Sequence, residues 1–189
     1  MAVRTLQGRC PVFWVALLLA ALWPLFAHAQ SGSSLERQVK AAYLYKFAGF
    51  VEWPEGSFAR PDAPIVIGVA GADPLAEQLE QTVAGHTANG RPLQVRRVKR
   101  GDSLAGIHML FIPAHDKQLA QELLAASRGQ PVLTVTDGDE TFGMGSMINF
   151  VIADERLRFE VSLKHAAVAR LKISARMLSA ALRVQQVAG

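Results

Sequence analysis

Ile65-Val66-Ile67-Gly68-Val69-Ala70 follows Pro64 without a single polar side chain. A strand with one face in water alternates apolar and polar residues, whereas a strand covered on both faces reads as a continuous β-branched run. This segment is of the second kind, so it demands a sheet with cover on two sides. His108-Met109-Leu110-Phe111-Ile112 and Pro131-Val132-Leu133-Thr134-Val135 repeat the pattern. Helical patterns lie between these runs. One opens at Asp73-Pro74, an N-cap followed by an N1 proline, and reaches about Val83; another covers Asp116 to Ala126. Strands alternating with helices imply right-handed crossovers and a parallel sheet.

The remaining segments fill in that plan. Leu93, Val95 and Arg97 alternate with Gln94, Arg96 and Val98, the pattern of a half-exposed strand. Met147 to Ile152 and Leu157 to Val161 read as two strands of a hairpin turned at Asp154-Glu155. Ser162 is placed to cap a helix to Ala169, and Ile173 to Val187 reads as a final amphipathic helix. Leu35, Val39, Ala42, Tyr43, Phe47 and Phe50 recur at three and four, which predicts a helix from Leu35 to Trp53, capped by Ser33 or Ser34 and ended by Pro54. The expected fold is one compact α/β domain over residues 30–189. Its sheet is mostly parallel with a late antiparallel hairpin, and helices cover both faces.

The first thirty residues have a different character. Arg4 and Arg9 precede an apolar run from Val12 to Phe26, which ends in Ala27-His28-Ala29 and then Gln30. A basic region, an apolar region and an A-x-A site form a secretory signal peptide. Residues 1–29 are therefore expected to be cleaved, leaving a periplasmic protein that starts at Gln30 and does not span the membrane. Cleavage removes two arginines and no acid, lowering the formal charge of +4 by two, and it removes Cys10, the one cysteine. A thiol-free mature chain has no disulfide, no thiol catalysis and no thiolate metal site.

Sites with recognisable chemistry are scarce. The turn Gly68-Val69-Ala70-Gly71-Ala72-Asp73 joins a strand to a helix, but it lacks G-x-G-x-x-G spacing and its aspartate repels anions. No G-x-S-x-G or H-E-x-x-H occurs, and His86, His108, His115 and His165 stand singly. An enzyme, a metal and a cofactor are accordingly not expected. Arg91, Arg96, Arg97, Lys99 and Arg100 crowd five positive charges into ten residues. Without aromatic interleaving this reads as a charge-protected edge strand rather than a nucleic-acid surface. Two features suggest partner or ligand contacts instead. The loop Thr141-Phe142-Gly143-Met144-Gly145-Ser146-Met147 offers Phe142 and Met144 as exposed apolar contacts. Arg176 sits among small apolar residues, where its guanidinium can grip a carboxylate.

The order of several motifs carries a resemblance. Val39-Lys40-Ala41-Ala42-Tyr43-Leu44-Tyr45-Lys46-Phe47 is followed by Val51-Glu52-Trp53-Pro54, and Gly90-Arg91-Pro92-Leu93 by Val95-Arg96-Arg97. Next come the strand at His108, the strand at Pro131, and Gly145 with Met147-Ile148-Asn149-Phe150. Arg158-Phe159-Glu160 and Leu171-Lys172-Ile173-Ser174 before Arg176 and Leu178 complete the set. This arrangement resembles the YfiR family across residues 36–185. The resemblance implies a periplasmic, commonly homodimeric α/β protein that binds the periplasmic region of a membrane diguanylate cyclase or a related sensor protein. It would repress the cyclase and so keep cyclic-di-GMP and biofilm formation low. A periplasmic small-molecule-binding sensor acting on another membrane partner is the alternative. Members with a disulfide near the glycine loop would place cysteines at about Phe142 and Asn149, and one before the buried strand at Ile107; this chain has none. Ser162 stands where asparagine is usual, and Arg170 where a helix-ending glycine is, so a different C-terminal turn is expected at Arg170.

Overall fold

The computed structural model describes the backbone of residues 23–186 and the side chains of residues 33–186. The chain divides into two units, residues 1–36 and 37–189. The leader up to residue 22 lies outside the described residues; from Trp23 the backbone is helical, opening helix α1 (Trp23–Ala48).

The helix does not start at Leu35, because it runs through Ser33 and Ser34 so that neither is its cap, and it stops five residues short of the expected Trp53. At Gly49 and Phe50 the amides turn back to the carbonyls of Lys46 and Phe47, both at 3.0 Å. The chain then leaves as strand β1 (Val51–Glu52), which pairs antiparallel with β9 (Lys172–Ile173), Val51 opposite Ile173. Pro54 ends a strand here, not a helix.

The main sheet comprises β2 (Ile65–Ala70), β3 (Thr87–Ala88), β4 (Arg91–Val98), β5 (Met109–Ile112), β6 (Leu133–Thr136), β7 (Ile148–Ala153), β8 (Arg156–Ser162) and β10 (Arg183–Gln185). Their order is β10-β8-β7-β6-β5-β2-β4-β3. β4, β2, β5, β6 and β7 run parallel, β7 and β8 form the expected antiparallel hairpin, and β10 lies parallel to β8. The parallel part has the 2-1-3-4-5 order of doubly wound folds, reversing direction at β2 and β5.

Residue alternation sends the two faces to different covers. Ile67, Val69, Met109, Phe111, Leu133 and Val135 share one core with α1 and with α2 (Asp73–Val83). Ala70, Leu110 and Ile112 point the other way, against Leu119, Ala120, Leu123 and Leu124 of α3 (Lys117–Ser127). The covered-on-both-faces reading of the first run is thus the fold itself. Gly68 belongs to this second face. A Cβ there would come within 2.9 Å of Ile107 Cδ1 and 3.0 Å of Leu110 Cδ1, so glycine lets those side chains close over β2. Four rings join α1 to the hairpin, with Phe47 edge-on to Phe159 at 5.0 Å and Tyr43 at 5.5 Å from the same ring.

Two local expectations need correction. Asp73 is the first residue of α2 and not its cap; Ala72 holds that position without a side-chain bond, and the Asp73 carboxylate lies 3.7 Å from Arg97 instead. The continuous final helix over 173–187 does not form. In its place stand β9, the short helix α6 (Ala175–Ala180) and β10. Ser174 caps α6 by accepting from the Met177 amide, and Leu182 N–H donates to Phe159 O at 2.8 Å, drawing the chain into the sheet. Free backbone groups of β8 outweigh the helical spacing of the apolar residues.

Candidate functional site

The basic segment resolves into intramolecular contacts. Arg91 stacks on Phe58, 3.8 Å from the ring centroid, and donates to the carbonyls of Arg60 and Ala63 at 3.1 and 2.9 Å. Arg96 donates to Ser103 O at 2.8 Å and Ala105 O at 3.2 Å. Arg97 meets Glu80 at 2.6 Å, and Arg100 pairs with Glu122 and Asp116. Arginines held this way have little freedom to track a polyanion. β4 is bordered by β3 only across Arg91 and Pro92, so most of it is an exposed sheet edge guarded by charge.

Doubly wound sheets bind ligands outside the carboxyl ends of their strands, where the order reverses. In this chain that place is packed. A Cβ at Gly71 would meet Leu119 Cδ2 at 3.4 Å and Pro113 Cγ at 3.6 Å. At the ends of β5 and β6, Asp137 accepts from Lys40 Nζ and from the Ala114 amide, both at 2.7 Å. The side chains of this ion pair are only 11% and 19% exposed, so it joins α1 to the sheet rather than facing solvent.

A cleft opens at the other end of β6, with a volume of about 190 Å³. Leu124, Met144, Met147 and Val168 give it apolar walls, while Thr134 and His165 supply polar groups. His165 lies on α5 (Leu163–Val168), with Nδ1 3.2 Å from Ser146 O. Only a protonated Nδ1 can donate to that carbonyl, so a neutral ring keeps Nε2 as an acceptor. Gly145, at φ +119°, brings the backbone alongside: a Cβ on it would lie 3.8 Å from His165 Nε2. Such a cavity suits a small apolar group with one hydrogen-bond donor.

The loop residues singled out by sequence part company here. Thr141 and Phe142 belong to a short helix, α4 (Asp139–Gly143), and Phe142 is buried at 6% exposure rather than presented as a contact. Met144 is half-buried and lines the cleft. Arg176 is exposed on α6, outside that cleft, and among the described residues none forms a hydrogen bond or ion pair with its guanidinium. Asn149 is fully buried and spans Thr136 and Asp139, each at 3.3 Å. Among the described residues, no group of three or more histidine or acidic side chains is placed to hold a metal ion. No described helix is long and apolar enough to cross a membrane.

His108 carries more than a lone histidine suggests. It heads β5 and is 5% exposed. Val66 N–H donates to its Nδ1 at 3.1 Å, and Nε2 lies 3.1 Å from Ser57 O. Burial pushes its pKa below the usual histidine range; the Ser57 carbonyl opposes this shift and the Arg91 charge adds to it. The signal available in the sequence was position, since a histidine opening a doubly covered strand must satisfy both ring nitrogens internally.

Comparison with known proteins adds one finding. A family model described as YfiR/HmsC-like matches residues 37–182. No curated protein matches the chain.

Proposed function

We propose, from the premise that the chain belongs to the YfiR/HmsC-like family, that it is a periplasmic regulator of an inner-membrane diguanylate cyclase. In this reading the exported domain binds the periplasmic region of the cyclase, holds it inactive, and keeps cyclic-di-GMP and biofilm formation low. The observation that carries the reading is the extent of the family match, which takes in every described element from α1 at residue 37 through α6. A repressor needs no catalytic group. It acts by linkage, because a partner bound more tightly in its inactive state is shifted toward that state by the difference in affinity alone. Arg176, exposed and unengaged, is the contact assigned to a carboxylate of the partner. Met144 at the cleft contributes adaptable apolar surface, and the functional unit is a homodimer. A second reading, a sensor whose small ligand occupies the cleft, is favoured by that cavity's 190 Å³ and its polar His165.

Deletion of the gene is expected to raise cyclic-di-GMP and surface attachment, and export of the domain from a plasmid to reverse both. Arg176→Ala should derepress while the protein accumulates and melts normally, with Arg176→Lys rescuing in part. Cyclic-di-GMP unchanged on full deletion would remove the cyclase reading and leave the ligand sensor.

A further inference from the structure

We infer that residues 54–64 form a strap that His108 fastens when neutral and releases when protonated. The inference is independent of the regulatory reading above.

The strap leaves Trp53 and returns at Ile65, and its interior turns are closed by Ser57 N–H to Pro54 O and Ala63 N–H to Arg60 O. Most of it is exposed. Two side chains of the body tie it down. His108 reaches up to Ser57 O, and its ring stacks on Phe58 with centroids 4.3 Å apart and planes 11° from parallel. Arg91 covers the opposite face of Phe58 and takes the carbonyls of Arg60 and Ala63. At the strap's root, Trp53 Nε1–H donates to the His108 carbonyl at 3.1 Å.

This geometry admits one protonation state. Val66 N–H can only donate, so Nδ1 must accept; Ser57 O can only accept, so Nε2 must carry the hydrogen. A second ring proton would sit on Nδ1 and face the Val66 amide, donor against donor. It would orphan a backbone N–H inside the fold. It would also place an imidazolium across one phenyl ring from the Arg91 guanidinium. Other charges nearby do not offset this. The strap carries Glu55, which is exposed, and Arg60 and Asp62, which pair with each other at 3.5 Å. β2 and β6 present Val66 and Leu133 at this point, neither charged. Opening the strap frees the ring to turn away from Val66 into water, which relieves both conflicts, and it uncovers Phe58 and the side of Trp53 that faces it.

The direction follows from the shift. A histidine held below its ordinary value of about 6.5 contributes its full stability above that pH and loses it as the pH falls toward the lowered value.

Amide exchange of the purified protein between about pH 7.5 and 5.0, corrected for intrinsic exchange chemistry, reads the strap directly. Protection at Val66, Ser57 and Ala63 is expected to fall as the pH passes below the unfolded histidine value, by up to about tenfold per pH unit until the lowered value is reached, while α3 stays protected. His108→Gln, which keeps a donor and an acceptor but does not titrate, should hold the protection flat. Should that variant not fold, an NMR titration of the unaltered protein decides: the His108 ring and the Val66 amide must move with one shared midpoint below about 6.5. Flat protection in the unaltered protein, pH dependence surviving in His108→Gln, or two unrelated midpoints would each overturn the strap.

Discussion

Arg170 shows how one side chain can be tolerated where another belongs. Its φ is +56°, the left-handed region that costs a residue with a Cβ roughly 1–2 kcal/mol. The bonds around it form a complete Schellman turn: Arg170 N–H to Ala167 O and Leu171 N–H to Ala166 O, both at 3.0 Å. Thus the different turn expected from the missing glycine is not made; the glycine's turn is kept, under strain. Arg170→Gly is expected to stabilise the protein by about 1 kcal/mol, since relief of strain outweighs the added chain entropy. The melting temperature should rise by about 2–4 °C, and a fall would show that the arginine side chain itself contributes. Ser162 departs from expectation in the other direction. It occupies the cap of α5, yet its Oγ is buried without a partner, so the helix gains nothing from the hydroxyl. Both outcomes turn on local backbone geometry, which residue type alone does not encode. Phe142 is a similar case: its glycine neighbours signal a bend, but which way the ring turns depends on α4, which no periodicity in five residues announces.

Elements were legible in proportion to how much of their own cover they carried in the chain. The doubly covered strands β2, β5 and β6 stand within two residues of their sequence boundaries, and so do α2 and α3, because apolar runs and cap residues are local signals. The hairpin was legible for the same reason. Its turn residues Asp154 and Glu155 both have positive φ, 50° and 57°, the geometry of a two-residue type I′ turn. Replacing them with Asn-Gly is expected to add about 1 kcal/mol of stability, read as a higher denaturant midpoint with unchanged slope. A lower midpoint would mean that the exposed acids do more than turn the chain. Residues 173–187 misled because their leucines and alanines have helical spacing while their partners, Phe50 and β8, lie far back in the sequence. The cleft was illegible for the same cause. Met144 could be marked as a contact, but Leu124, Thr134 and His165 meet it only after three separate elements have packed.

At the scale of the whole molecule, the last segment is a closing piece. Ser174 N–H donates to Phe50 O, β9 pairs with β1, and Arg183 reaches the buried carboxylate of Glu160 at 2.9 Å. A chain ended after Arg170 leaves all of these partners open. It is expected to lose its cooperative thermal transition and to bind hydrophobic dye, whereas an undiminished melting temperature would show the tail to be dispensable. The short ladder between β1 and β9 also has a consequence in time. Val51 and Ile173 bracket a loop of about 120 residues, whose closure costs on the order of 4 kcal/mol. Two residues of ladder, at roughly 1 kcal/mol per hydrogen bond, cannot meet that cost unaided. The ends therefore meet only after the main sheet has brought them near. Since β9 is made about 120 residues after β1, the pairing waits until that stretch has been synthesised, and a chain released before it carries an unpaired strand for quality-control proteases to find.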